Sequence, residues 1–540
     1  MSGERIWLYD TTLRDGAQRE GLSLSLEDKL QIAHLLDQLG VHYIEGGWPG
    51  ANPKDVQFFW QMQQEPLTQA RLVAFCSTRR PRTTAAEDPL IQGLLAAGTP
   101  WVTVFGKSWD LHVTEGLGTT LTHNLDMIAD TITYLRQQQR RVFYDAEHWF
   151  DGYLANPDYA LATLETAYQA GAEWLVLCDT NGGMLPHQIS EIVQQVKARF
   201  PDAQIGIHTH NDSGTAVANA IAAVQSGARM VQGTINGYGE RCGNADLCTL
   251  IPNLQLKLKY DCITPEQLTR LVEVSRAVSE RVNLAPNDHA PYVGASAFAH
   301  KGGVHVSAVG KNPATYEHIA PEWVGNQRRV VISEQSGLSN IVAKARELGL
   351  PLDRSHPAAK EVLRRLKELE GQGYQFEAAE ASFELLVRDV LGQRQPAFVL
   401  HGFQVHCQTQ AQGNGHWSSS VATVKVEVDG QELITAAEGN GPVSALDNAL
   451  RRALVNFYPQ IGEFHLSDYK VRVLDGQSGS AATTRVLVEF THGTYRWTTV
   501  GVSTNIIEAS YQAVAEGLEY GLSRLRATAI SQAQKVKERP

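Results

Sequence analysis

Apolar and polar residues follow a regular rhythm over the first half of the chain. Between residues 5 and 250, short apolar runs typical of buried strands recur eight times. They begin at Ile6, Tyr43, Leu72, Val102, Val142, Trp174, Ile205 and Met230. Most are separated by amphipathic helical segments, the first of which opens with a Ser25–Asp28 capping box and ends at Gly40. Its apolar residues at helical spacing are Leu30, Ala33, Leu36 and Leu39.

Strands that alternate with helices are typical of an α/β fold with a parallel sheet. Eight such repeats in this length predict a closed (β/α)8 TIM barrel, and the alternative is a doubly wound open sheet. The count of eight favours the barrel.

Polar and glycine-rich segments follow most of the predicted strands. In a barrel these segments meet at one face, where the active site lies. The segments are 9–16, 45–49, 77–79, 106–108, 145–148, 179–182, 208–212 and 237–244. The sequence therefore predicts one site assembled from eight places in the chain.

The rest of the chain has two further patterns. Residues 251 to 380 contain helical stretches at Thr264–Asn283, Glu334–Gly349 and His356–Glu370, joined by polar loops. Beyond residue 380, alternating strands with an Asp429-Gly430 hairpin turn appear. We therefore predict a barrel over 1–270, a helical accessory and linker region over 271–380, an α+β domain over 381–530 and a polar tail over 531–540.

The α+β domain contains an internal duplication. A strand, a glycine and a helix recur 62 residues apart, so that Val424 matches Val486 and Gly439 matches Gly501. We predict two ββα units that share one core.

Composition narrows the class of protein. A formal net charge of −11 argues against a nucleic-acid binder, and no apolar run approaches the ~20 residues of a membrane span. The N-terminus has no signal-peptide pattern, and the six cysteines have no disulfide-framework spacing. These features predict an enzyme-like cytoplasmic protein with reduced cysteines.

His208 and His210 are the strongest candidates for chemistry. Alternate residues of a strand lie on the same face, so the two imidazoles can point at one cation. An open metal site also needs a carboxylate ligand. The alternative is two ordinary histidines, and the pair alone does not decide between them.

Three separated motifs resemble those of the DRE-TIM metallolyases: Asp10-Thr-Thr-Leu-Arg-Asp-Gly16, His208-x-His-Asn-Asp212 and Gly237-x-Gly-Glu-Arg-x-Gly-Asn244. Over nearly the whole length the chain is similar to the branch of α-isopropylmalate, homocitrate and citramalate synthases. Two further stretches, 46–55 and 144–152, resemble the second type of citramalate synthase.

The resemblance implies a role for individual residues. The metal ligands are expected to be Asp15, His208, His210 and Asn244, and the ion Mg, Mn, Co or Zn. The expected catalytic residues are Arg14, Glu147, His305 and Tyr316. The expected substrate-binding residues are Arg14, Thr180 and Asp145. Relatives carry Asp two residues after the catalytic histidine, whereas this chain has Ser307 and departs from a His–Asp relay.

The reaction implied is condensation of acetyl-CoA with pyruvate, followed by thioester hydrolysis to (R)-citramalate and CoA, at the entry to isoleucine synthesis. The resemblance also implies a homodimer and isoleucine feedback at the C-terminal domain, or a dimerisation domain without ligand. Trp48, Phe105 and Trp149 suggest a small pocket. Isopropylmalate and homocitrate synthesis are alternatives, and Lys107 could meet the second carboxylate of 2-oxoglutarate in the homocitrate case. An acyl-CoA lyase or aldolase and a non-enzymatic amino-acid sensor also stay open.

Overall fold

The computed structural model describes residues 3–412, 415–493 and 495–537. It divides into two compact units. The first contains Met1–Phe298 and Ile319–Arg328, and the second contains Ala299–His318 and Arg329–Pro540. No helix in the described ranges is both long and apolar enough to cross a membrane.

Eight parallel strands form a closed barrel in the first unit, in chain order, with the first paired to the eighth. The strands are β1 (Trp7–Asp10), β2 (Tyr43–Gly47), β3 (Arg71–Ser77), β4 (Trp101–Lys107), β5 (Arg141–Glu147), β6 (Trp174–Asp179), β7 (Gln204–Thr209) and β8 (Met230–Gly233). Each begins within one residue of its predicted start. The barrel prediction is confirmed, and the open sheet is excluded.

Helices alternate with these strands. They are α1 (Leu26–Leu39), α2 (Pro53–Gln64), α3 (Pro89–Ala96), α4 (Leu121–Gln137), α5 (Trp149–Ala155), α6 (Pro157–Gln169), α7 (Pro186–Arg199), α8 (Ala216–Gln225), α9 (Leu247–Pro252), α10 (Pro265–Leu268) and α11 (Leu271–Arg281). The capping box at Ser25 and Asp28 is present, and Gly40 ends α1 in the left-handed region at φ 91°. Local chemistry therefore sets the limits of α1.

The helix predicted over Thr264–Asn283 is interrupted between α10 and α11. The hydroxyl of Thr269 donates to the Glu266 carbonyl at 2.7 Å. The backbone N–H of Arg270 donates to Gln267 only three residues back. Such local bonds compete with helical ones and form a turn here.

An aromatic layer fills the interior of the barrel. Tyr43 lies edge-on to Trp101 and Phe143, with ring centroids 5.1 and 5.0 Å apart, and Tyr9 and Trp174 belong to the same buried cluster. Because Tyr43, Trp101 and Trp174 stand at the starts of their strands, this layer fills the N-terminal end. The polar strand ends lie at the opposite end.

The second unit begins with short elements and four helices. They are β9 (Ala299–His300), α12 (Gly303–Val309), β10 (Arg329–Val330), α13 (Leu338–Glu347), α14 (Pro357–Gly371) and α15 (Glu380–Val390). Helices α13 and α14 match the predicted stretches, although α13 begins four residues late. Ile341, Val362, Leu366 and Phe383 are fully buried in its core.

The predicted duplication is confirmed, but each repeat has three strands where two were predicted. The repeats are β11 (Val399–Gln412), β12 (Gly415–Val428), β13 (Gln431–Gly439) and α16 (Pro442–Leu454), then β14 (His465–Val473), β15 (Thr484–His492), β16 (Tyr495–Ser503) and α17 (Ile506–Lys537). Both first strands are edge strands, and the exposed, polar β14 shows why apolar alternation does not reveal them.

The matched residues Val424 and Val486 are both fully buried in one core formed by the two repeats. The predicted hairpin is present, with φ of 49° at Asp429 and 78° at Gly430. Helix α17 continues through Lys537, so most of the predicted tail is helical, and residues 538–540 lie outside the described part.

Candidate active site

The strand ends bring an aspartate and two histidines together. Asp15 follows β1, His208 lies in β7, and His210 follows that strand directly. The Nε2 atoms of His208 and His210 lie 3.1 and 3.7 Å from Oδ2 of Asp15 and 3.3 Å from each other. All three side chains are buried, and one ligand atom from each lies within 4.8 Å of the others. This group could hold a metal ion.

Asn244 completes the group. Its Nδ2 lies 2.8 Å from Asp15 Oδ2 and 3.2 Å from His208 Nε2, while its buried Oδ1 has no hydrogen-bond partner in the described part of the chain. Since amide nitrogen and oxygen occupy equivalent positions, turning the amide over places the oxygen toward the other three groups. A carboxylate, two imidazoles and an amide oxygen fit an octahedral divalent ion.

Burial and neighbouring charges set the protonation of the group. Burial opposes ionisation of Asp15, but Arg14 and His208 overcome it and hold its pKa well below the usual range. Burial, together with the charge of His208, lowers the pKa of His210 to about 4. The pKa of His208 is raised because Asp15 outweighs the effect of burial. The site therefore offers an ionised carboxylate and at least one neutral imidazole.

Arg14 is held in place beside the carboxylate. Its Nε donates to Oε1 of the fully buried Glu45 at 2.6 Å, and its guanidinium lies 3.9 Å from the centre of the Phe75 ring. Tyr9 donates to the other oxygen of Glu45 at 2.8 Å. Sequence reasoning placed Glu45 at a strand end but assigned it no role, because its partner lies 31 residues away. Glu45 fixes the direction of the guanidinium.

A second buried chain of hydrogen bonds contacts His208 at Nδ1, the ring nitrogen that does not face Asp15. Nδ1 of His208 lies 2.8 Å from Oε1 of Gln232, whose Nε2 donates to Oδ1 of Asp145 at 3.0 Å. Burial raises the pKa of Asp145 to about 7, and the charge of Glu45 contributes. Gln232 was missed because nothing in the sequence marks a glutamine inside a strand.

Two further predicted residues lie at the same face. The Glu147 carboxylate at the end of β5 forms an ion pair with Lys107 at the end of β4. The hydroxyl of Thr180 accepts the backbone N–H of His148 at 2.9 Å. Both Glu147 and Thr180 line a cavity of about 240 Å³ that also contains Arg14, Asp15, Asp145, His208 and His210.

Aromatic rings form one wall of this cavity. Phe75 and Phe105 stack at 5.2 Å, and Trp48 stands edge-on to both. Trp48 and Phe105 line the cavity, whereas Trp149, the third residue that suggested a small pocket, does not. Its indole is fully buried on α5 and donates to the Ala160 carbonyl at 3.0 Å, because the ring packs into the helical layer. The third ring of the wall is Phe75.

His305 and Tyr316 belong to the second unit. Within that unit their rings stack with centroids 4.1 Å apart at 27°. Tyr316 is 46% exposed, so it has surface available to contact another group. Their predicted part in catalysis stays a prediction.

Three family models match successive parts of the chain. They are HMGL-like over residues 5–278, homocitrate synthase post-HMGL domain-like over 292–373 and LeuA allosteric (dimerisation) domain over 377–522. The first covers the barrel and its site. The other two cover the helical region and the duplicated domain.

Similar proteins match almost end to end. The chain is 69% identical to the (R)-citramalate synthase of Synechocystis sp., with 96% of each chain covered. It is 54% identical to the (R)-citramalate synthases of Aquifex aeolicus and Geobacter sulfurreducens, with 96% of this chain and 98% of each relative covered. The resemblance seen in the motifs is thereby confirmed. With this identity over nearly its full length, the chain belongs to the HMGL-like family and, within it, to the (R)-citramalate synthases.

Proposed function

We propose that this protein condenses acetyl-CoA with pyruvate and water to give (R)-citramalate and CoA. The observation that carries the proposal is the buried group of Asp15, His208 and His210 beside Arg14, at the floor of a small cavity. Membership of the citramalate synthase family supports the same reaction. A new carbon–carbon bond forms between the acetyl methyl carbon and the keto carbon, and water then cleaves the thioester.

A divalent ion held by Asp15, His208, His210 and Asn244 would supply Lewis acidity toward the keto group. Mg, Mn, Co and Zn all suit this mixture of oxygen and nitrogen ligands. The Arg14 guanidinium, fixed by Glu45, is positioned beside Asp15 to offset negative charge that develops on oxygen.

Thr180 is suited to bind the carboxylate of the oxo acid. Its oxygen already accepts the His148 N–H, so its own proton is available for donation. We also keep Asp145 as a candidate substrate contact, because it lines the cavity.

We propose that the aromatic wall selects pyruvate over larger oxo acids. Phe75, Phe105 and Trp48 would contact the methyl group of the oxo acid and limit the length of its side chain. Lys107, the cation that a homocitrate synthase would need for a second carboxylate, is paired with Glu147. Both features argue against the isopropylmalate and homocitrate alternatives.

Glu147 is our candidate for the base that takes a proton from the acetyl methyl group. We propose His305 as its partner and Tyr316 as a contact of the thioester, both by resemblance to related enzymes. In those enzymes the histidine segment reaches the site of the other subunit, so we propose an active homodimer. The match to a LeuA dimerisation domain supports association.

We further propose that isoleucine binds between the two repeats of the C-terminal domain and inhibits the enzyme. The match to an allosteric domain and the duplicated architecture support this regulation. A location in the cytoplasm stays a prediction from the sequence.

The test is release of CoA from acetyl-CoA in the presence of pyruvate, 2-oxobutyrate, 2-oxoisovalerate or 2-oxoglutarate. We expect pyruvate to give the highest kcat/KM, a chelator to abolish release, and isoleucine to inhibit more than leucine. A better rate with 2-oxoisovalerate or 2-oxoglutarate would refute the substrate assignment. Acetyl-CoA formation from citramalyl-CoA without condensation would instead indicate a lyase.

A further inference from the structure

Gln232 bridges two buried groups that sit on different strands. It lies on β8 directly beside His208 of β7, and its side chain extends to Asp145 of β5. Gln232 is 1% exposed, and both partners are 4% exposed. Hydrogen bonds between side chains this well buried are stronger than the same bonds in water.

The chemistry of the partners sets the direction of these bonds. The Gln232 amide nitrogen faces Asp145 and donates to its Oδ1 at 3.0 Å, since a carboxylate offers acceptor oxygens. The amide oxygen then faces Nδ1 of His208, and Nδ1 must carry the imidazole proton. This leaves the lone pair of a neutral His208 on Nε2, the atom 3.1 Å from Asp15.

A neutral His208 can also adopt the other tautomer, with its proton on Nε2. With the proton on Nε2, His208 would donate to Asp15 and could not ligate a metal through that nitrogen. Asp15 accepts a proton on Nε2 readily, whereas the Gln232 oxygen 2.8 Å from Nδ1 favours the proton on that nitrogen.

We propose that Gln232 is a positioning residue that selects the metal-binding tautomer of His208, and that Asp145 sets the orientation of the Gln232 amide. The inference rests on the proposed metal centre. Outer groups of this kind typically change metal affinity 10- to 100-fold when removed.

The test measures binding of Co²⁺ to the full-length, metal-free protein by calorimetry and by the visible absorption of the bound ion. We expect Gln232→Leu to bind Co²⁺ about 10- to 100-fold more weakly. We expect Gln232→Glu to be weakened as well, because the substituted carboxylate has no N–H to donate to Asp145. Thr163→Val, which removes a buried hydroxyl bonded to Ala160 on α6, is the control and should bind as wild type.

A double variant tests whether Co²⁺ affinity depends on the direction of these hydrogen bonds or only on the packing of the side chains. In Asp145→Asn/Gln232→Glu the new amide donates to the new carboxylate, which can still accept the Nδ1 proton of His208. We expect its Co²⁺ affinity to return to within a few-fold of wild type. Affinity as weak as that of Gln232→Glu would overturn the inference, and so would unchanged affinity in Gln232→Leu.

Asp15→Asn separates this inference from the metal centre itself. If Asp15→Asn loses Co²⁺ and Gln232→Leu does not, the centre stands and the bridge has no such role. If Asp15→Asn binds Co²⁺ as wild type does, the centre lies elsewhere, and the bridge inference fails with it.

Discussion

Arg14 and Glu45 form a buried ion pair, so a single substitution there changes stability as well as chemistry. We expect Arg14→Ala to lower the free energy of unfolding by about 3–5 kcal/mol, because Glu45 loses its partner. Its kcat should also fall on the order of 10²–10³-fold, as for a lost preorganised donor. Denaturant unfolding and steady-state kinetics measure the two effects.

The double variant Arg14→Met/Glu45→Gln separates the effect on stability from the effect on activity. Neither new side chain is charged, so stability should recover most of the loss. Activity should remain as low as in Arg14→Ala. Recovery of activity along with stability would show that Arg14 acts only as a structural group.

Removing the metal tests the assigned ligands through their effect on stability. With ion at 100 times its Kd, we expect about 2.7 kcal/mol of added stability relative to chelated protein. Asp15→Asn should abolish this difference between the two conditions, as followed by thermal unfolding. An equal metal-induced shift in Asp15→Asn would contradict the assignment.

Individual residues could be predicted only where a motif or a resemblance marked them. Asp15, His208 and Asn244 were found in this way, and the structure brings them together. Gln232 and Glu45 were not given roles, because their function depends on partners that only the closed barrel brings within reach. Trp149 follows a strand end but lies outside the cavity, because proximity to a strand end in sequence does not give the direction of a side chain.

Strands β3 and β4 supply two of the three rings of the aromatic wall, Phe75 and Phe105, so this pair of elements should control substrate size. We expect Phe105→Ala to raise kcat/KM for 2-oxobutyrate relative to pyruvate by about 10- to 200-fold, the range for one methylene. Competition between the two oxo acids measures the ratio. Trp149→Phe is the matched control and should leave it unchanged, since that ring lies outside the cavity.

Helix α17 carries an enclosed carboxylate that makes the stability of the second unit depend on pH. Glu516 accepts a hydrogen bond from Ser382 at 2.7 Å, and burial raises its pKa from 4.5 to about 7. Between these values the unfolded chain loses its proton first, so stability falls as pH rises. We expect Glu516→Gln to add on the order of 1 kcal/mol above pH 7 and nothing near pH 4.

Unfolding in denaturant across this pH range measures the effect. Glu508→Gln, an exposed position on the same helix, is the control and should follow wild type. A constant difference between Glu516→Gln and wild type at all pH values would contradict the explanation.

Elements with a buried face could be predicted from their pattern, and those without one could not. The barrel strands carry apolar runs because helices cover them, and all eight were located. Strand β14 is exposed over most of its length and shows no such signal. Its pairing with β15, from His465–Thr491 to Val473–Thr484, creates an element that its own residues do not indicate.

At the scale of the whole molecule, the proposed dimer predicts complementation. Glu147→Ala and His305→Ala should each be inactive alone. If His305 serves the partner's barrel, randomly mixed subunits should recover about a quarter of wild-type activity, since half of the dimers carry one intact site of two. Co-expression of the two variants mixes their subunits at random, and the CoA-release assay then measures the recovered activity. If His305 instead serves its own barrel, no mixture will recover activity.

The aromatic layer of Tyr9, Tyr43, Trp101, Phe143 and Trp174 has a kinetic consequence. Because that end of the barrel is filled, reactants enter and products leave through a single mouth. A three-carbon acid seated at the metal must therefore arrive before a bulky thioester covers it. Steady-state kinetics should be sequential and ordered, with pyruvate first, and dead-end pyruvate analogues should compete with pyruvate but not with acetyl-CoA.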